Sequence, residues 1–145
     1  MVLQFLESIE GGTRKHLSAC PQRRAAIEQA ERKKTKSELL PHLRVQDTWR
    51  SEFWLDLEMR GSSTLKDLDH YLRCIWLECC GHLSRFSVGG RRGDEIPQSR
   101  KISEVFTPGL ELTHIYDFGT SSETLIRALE TREGAPTPTM VSLCV

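Results

Sequence analysis

Apolar positions along this chain change period as the chain proceeds. Residues 42–46 alternate around Leu43 and Val45. Residues 53–59 alternate more strongly: Phe53, Leu55, Leu57 and Met59 fall on one face, Trp54, Asp56 and Glu58 on the other. A period of two predicts strands, and residues 47–51 between them fit a hairpin loop. The period then lengthens. Leu65, Leu68, Leu72, Ile75 and Trp76 recur at helical spacing and leave Lys66, Asp69, His70 and Arg73 to face water. Ser63 or Thr64 is the expected N-cap, Thr64 with Asp67 reads as a capping box, and Gly81 suits a left-handed C-cap.

Residues 84–88 predict a third strand closed by Gly89 and Gly90, followed by a polar loop over 91–100. Ile102, Val105 and Phe106 predict a short helix, stopped by Pro108 and Gly109. Residues 110–118, 124–131 and 140–143 predict three more strands. In the first turn between them, Gly119 is expected to supply the positive φ and Asp117 the cap. Upstream, residues 23–36 are rich in Ala, Glu, Arg and Lys and predict a helix ended by Pro41. Its apolar residues, Ala25, Ala26, Ile27 and Ala30, bury little. The order implies an α+β fold. One long helix lies across a mixed sheet of about five or six strands, with a short second helix and a ubiquitin-grasp-like start. A basic helical arm over 1–40 precedes a core over 41–145.

Length and composition fit one domain with its own core: 145 residues, 38% hydrophobic and 28% charged. No apolar run approaches the ~20 residues of a membrane span. Glu7 and Glu10 interrupt the first apolar residues, which therefore do not read as a signal peptide. Five cysteines in no regular spacing argue for a reducing cytoplasm and against a disulfide scaffold.

Charge changes the picture more. The net charge is zero, yet residues 1–36 carry +4 and the remainder −4. Arg14, Lys15, Arg23, Arg24, Lys33 and Lys34 in the arm, with Arg91 and Arg92 after the Gly pair, are the candidate nucleic-acid contacts. A solvated basic helix accounts for the same arm charges. His82, His114 and Asp117 form a candidate metal set, with Cys79 and Cys80 as alternative ligands beside His82. Against it, cysteines at a helix C-terminus meet a dipole that disfavours thiolate and read as packing thiols. No phosphate-binding loop, kinase set or nucleophile elbow is present.

The run from Thr64 to Asp69, the run from Ile75 to Ser84 with its corner Cys79-Cys80-Gly81-His82, and the run from Pro108 to Gly119 with its turn Tyr116-Asp117-Phe118-Gly119 resemble the plasmid pRiA4b ORF-three-like family over roughly residues 42–134. The resemblance implies a fold core and a prokaryotic, mobile-element context, and no established reaction. Similar chains carry a zinc-finger-like segment ahead of this core. Here His16 and Cys20 match its second half, while residues 1–11 hold no Cys or His, so the finger is expected to be truncated or decayed. Two ligands do not make a structural zinc site, so neither zinc nor another cofactor is expected. The reading is a non-enzymatic binding or adaptor protein with nucleic-acid or protein partners. The alternative is a small metal-dependent enzyme using His82, His114 and Asp117.

Overall fold

A computed structural model describes residues 19–33, 35–75 and 81–137. Among them are three helices: α1 (Pro21–Arg32), α2 (Leu65–Ile75) and α3 (Ile102–Val105). The strands are β1 (Glu38–Asp47), β2 (Trp54–Glu58), β3 (Ser84–Val88), β4 (Asp94–Ile96), β5 (Glu111–Tyr116) and β6 (Ser122–Gly134). They make one sheet in the order β2-β1-β6-β5-β3-β4. The α+β class is as expected. The sheet, however, is antiparallel at every strand pairing rather than mixed. Strand β4 lies inside the expected polar loop. The expected strand at 140–143 and the expected core position Trp76 lie outside the described residues.

Alternation dictates which side chains enter the core. Leu43 and Val45 of β1, Leu55 and Leu57 of β2, Phe86 of β3, Leu112 of β5, and Ile126 and Ala128 of β6 gather in one cluster. Leu65, Leu68 and Leu72 of α2 close over them, with Ile102, Val105 and Phe106 from the α3 segment. Partly buried Met59, Tyr71 and Ile75 pack on this cluster. Burial pushes the Tyr71 phenol up to about 12.

Pro41, expected to end the arm, sits instead inside β1 opposite Thr131. Proline is tolerated there because the ladder breaks next door. Between His42 and Leu43 the register slips, His42 facing Glu130 and Leu43 facing Ala128, so Leu129 is the extra residue of a bulge. The Pro41 carbonyl still accepts from Met59 N at 3.1 Å.

The start of α2 is held as the sequence implies. Asp67 Oδ2 accepts from Thr64 N at 2.7 Å, and Asp67 N donates to Thr64 Oγ1 at 3.3 Å. Leu65 N and Lys66 N donate outside the helix, to the carbonyls of Arg100 and Gln98. This satisfies amides that a helix start otherwise leaves bare. Gly61 lets the chains meet: its N donates to Leu39 O at 2.7 Å, and a Cβ there would stand 2.4 Å from that oxygen.

Helix α1 touches the rest of the chain at few positions. Cys20 and Ala30 are buried and Pro21 occupies its first turn, although most of its other side chains are exposed as expected. Among the described residues no helix is long and apolar enough to cross a membrane.

Leu68 is fully buried and Lys66 exposed. Leu68→Ala is therefore expected to lower stability by roughly 2–5 kcal/mol. Lys66→Ala should stay within about 0.5 kcal/mol of the parent. Urea unfolding midpoints of the two variants check this; a larger loss for Lys66 would contradict the packing.

Candidate functional site

The densest polar cluster centres on Asp69, which helical spacing assigns to water. It is 7% exposed, because α2 lies across β3 and β5 and turns this position onto them. His114 Nε2 donates to Asp69 Oδ1 at 2.7 Å and Ser84 Oγ donates to the same oxygen at 2.6 Å. Arg73 Nε, one turn along the helix, donates to Asp69 Oδ2 at 2.8 Å, and Arg73 Nη2 donates to Ser84 Oγ at 2.9 Å. Gln98 Nε2 reaches Ser84 O at 3.2 Å. Burial opposes ionisation of Asp69, but hydrogen bonds from His114, Ser84 and Arg73 outweigh it and pull the carboxyl down to about 2.

Asp, His and Ser together invite comparison with a hydrolase triad, and the geometry rejects it. In a triad the serine donates to the histidine. Here Ser84 donates to the aspartate instead, so it is not placed as a nucleophile for His114 to activate. His114 is fully buried against Phe86, with ring centroids 4.7 Å apart. Its Nδ1 is buried and has no hydrogen-bond partner among the described residues. The neutral tautomer carrying the proton on Nε2 fits this best, since a proton on Nδ1 would add an unpaired buried donor. The cluster joins α2 to β3 and β5.

The candidate metal set of the alternative reading is not brought together among the described residues. His82 Nδ1 stands 4.0 Å from Asp117 Oδ1, while the His114 Nε2 is taken by Asp69. Among the described residues no three His, Cys, Asp or Glu converge to hold a metal ion. Asp117, not Gly119, carries the positive φ of this turn, at 56°. Its carboxylate accepts from Thr120 Oγ1 at 2.7 Å and Gly119 N at 3.1 Å, and those bonds draw its pKa below the ordinary value. Arg14, Lys15, His16, Lys34, Cys79 and Cys80 lie outside the described residues. Cys20 is a free buried thiol that packs α1. Cys74 is disulfide-bonded, which the irregular cysteine spacing does not signal.

A second group of charges is buried around β1 and β2. Arg44 grips Asp56 with two bonds, Nε to Oδ1 at 2.8 Å and Nη2 to Oδ2 at 2.9 Å, and lies 4.3 Å above the Trp54 ring. His42 stands between Asp56 at 3.6 Å and Glu130 at 3.5 Å. Burial raises the Asp56 pKa, and bonds from Arg44 and His42 more than reverse it. Arg132 pairs with Glu58 through two bonds, and Arg23 of α1 joins the same carboxylate at 3.6 Å. One expected nucleic-acid contact is thus spent on an internal pair. Arg24 also has interactions within the chain, while Lys33 is exposed at the end of α1.

Sequence reasoning misses the surface at the sheet end where β1 turns into β2 and β5 into β6. Trp49 is 76% exposed there, with Phe53 and Phe118 about half exposed. Arg50 lies 6.0 Å from the Phe53 ring and Arg85 lies 5.7 Å from the Phe118 ring. Arg91 reaches across from the β3–β4 turn to donate to Ser121 Oγ at 2.6 Å, and Arg92 beside it is exposed. The signal lies in Trp49-Arg50 and Phe53, which period alone reads as loop and strand end.

No family model matches the chain, and no curated protein matches it. Among solved structures it is similar to the crystal structure of a protein of unknown function, MM3350, from Methanosarcina mazei Go1. The TM-score is 0.59 at 19% identity, over 70% of this chain and 65% of that one. The match therefore spans less than two thirds of that protein and supports the fold alone.

Asp69→Asn gives the pH test of the cluster. The folded carboxyl titrates near 2, below its ordinary value of 3.8. Its contribution, on the order of 2 kcal/mol, is complete above the unfolded value and fades as pH falls through the folded one. The stability gap between parent and Asp69→Asn should be widest near neutrality and shrink from about pH 4 to about pH 2. A gap independent of pH over that range would contradict the assignment.

Proposed function

We propose that this chain is a non-catalytic binding module that contacts nucleic acid through the Trp49–Phe118 end of its sheet. The observation that carries the reading is the pairing there of exposed aromatic rings with arginines. Trp49, Phe53 and Phe118 stand open, flanked by Arg50, Arg85 and Arg91, and Arg92, next to Arg91 in the chain, is exposed. Arginine supplies attraction to phosphate, and open rings supply surfaces on which bases stack. The buried Asp69 cluster supports the non-catalytic half, because its polar groups are spent on one another. Membership of the plasmid pRiA4b ORF-three-like family, a mobile-element context and a cytoplasmic location belong to the same proposal. So does a contribution from Lys33 on α1. The runs that carry the resemblance include Thr64, Asp67, Asp69, Ser84 and Asp117, which build the frame rather than a reaction centre.

Binding of a labelled single-stranded oligonucleotide, followed by anisotropy across a salt series, tests this. Affinity should fall with salt, and Arg91→Ala with Arg92→Ala should shallow the log–log slope by about 0.7 for each phosphate left without its arginine. No binding at low salt, or a slope unchanged by the two substitutions, would refute it.

A further inference from the structure

We infer that the cleft between the β1–β2 loop and the β5–β6 turn is a stacking site for an unpaired nucleobase, so that the surface takes single-stranded nucleic acid over duplex. The inference rests on the nucleic-acid reading above and names its ligand class. The cleft has a volume of about 410 Å³, inside the range of roughly 300–1,000 Å³ usual for small-ligand sites. Trp49, Phe53 and Arg50 form one wall, and Ser121 and Ser122 stand on the other.

The loop backbone that carries the aromatic wall is cross-bonded. Asp47 Oδ1 accepts from Trp49 N at 2.8 Å and from Arg50 N at 2.7 Å. Phe53 N donates to Arg50 O and Asp47 N to Phe53 O, both at 2.9 Å, and Thr48 N ties the loop to Glu123 O of β6 at 3.0 Å. An indole left 76% exposed is thus carried on a loop fixed by its own bonds, which lowers the entropy lost on binding. Those same bonds occupy one oxygen of the Asp47 carboxylate, the acid among the residues that line the cleft. Arg50 lies in the wall, and Arg91 reaches the far rim, where it donates to Ser121 Oγ at 2.6 Å and pairs with Glu123 at 3.5 Å across an exposed, solvent-screened contact. Cationic groups therefore flank the aromatic slot on both sides, where the phosphates on either side of a stacked base would pass. Bases in a duplex are already stacked and offer no free face to such a slot, whereas a single strand offers one at every residue. The Ser121 and Ser122 hydroxyls both donate and accept, so they serve any base edge. The site is expected to be tolerant of sequence.

The test is titration of the full chain with an oligothymidylate, a duplex of equal charge and an acidic peptide of equal charge, read by tryptophan fluorescence and by anisotropy. The single strand should quench Trp49 and bind at least about tenfold more tightly than the duplex. Trp49→Ala should abolish the quenching and weaken the single strand about tenfold while leaving the duplex unchanged, and Trp49→Phe should restore most of the affinity. Trp49 is exposed, so neither variant threatens folding. Equal binding of strand and duplex, indifference of the single strand to Trp49→Ala, or peptide binding as tight as the oligonucleotide would each overturn the stacking site while the broader reading is judged on its salt series. Failure of both nucleic acids to bind would overturn the two together.

Discussion

One buried carboxylate joins the two layers of this protein. Asp69 projects from α2 onto β3 and β5, where His114, Ser84 and Arg73 donate to its two oxygens. A charged group in such a place is costly unless its strong lone pairs are met, and three donors meet them. Apolar packing of Leu65, Leu68 and Leu72 brings the helix to the sheet. Apolar contact alone fixes neither its rotation nor its slide along the strands; the short, directional bonds from β3 and β5 do. Arg73 extends the tie by lying 4.7 Å over the Tyr116 ring, the last residue of β5 before the turn that carries Asp117.

The same economy governs the charges around β1 and β2. They are consumed in pairs, Arg44 with Asp56 and Arg132 with Glu58, so that polar side chains are buried without orphaned ions. The bulge at Leu129 shifts the register of β6 against β1 between these two pairs. With the sheet's faces used for construction, open aromatic surface is left at the sheet end. The two connections there are short and internally bonded, and the rings of Trp49, Phe53 and Phe118 stand outward from them. Function is then placed on loops by a rigid scaffold, the arrangement that most binding proteins share.

Much of the frame is legible in the chain. The hairpin, the capped helix and the β3 strand follow from period and from Thr64 with Asp67, because these signals are local. What escapes is non-local. Helical spacing sends Asp69 to water, since it sees only the residues of α2; the partners that bury it come 15 and 45 positions later. Strand β4 is hidden because Asp94 and Glu95 are exposed and its pairing with β3 needs no apolar alternation. A mixed sheet is the wrong expectation because strand direction depends on connections whose course periodicity does not record. For the site, the histidines and cysteines draw attention through their chemistry, whereas Trp49 and Phe53 become legible only once their exposure is known.

The frame stands on the Asp69 tie, since the helix and the strands that lead to the proposed binding end are positioned through it or against it. A double-mutant cycle between Asp69→Asn and His114→Gln, read as unfolding free energies at neutral pH, tests that claim most directly. The account predicts that the two losses are strongly non-additive, with a coupling of about 1.5–3 kcal/mol, as expected for a hydrogen bond to a buried charge. Losses that add to within about 0.5 kcal/mol would contradict it.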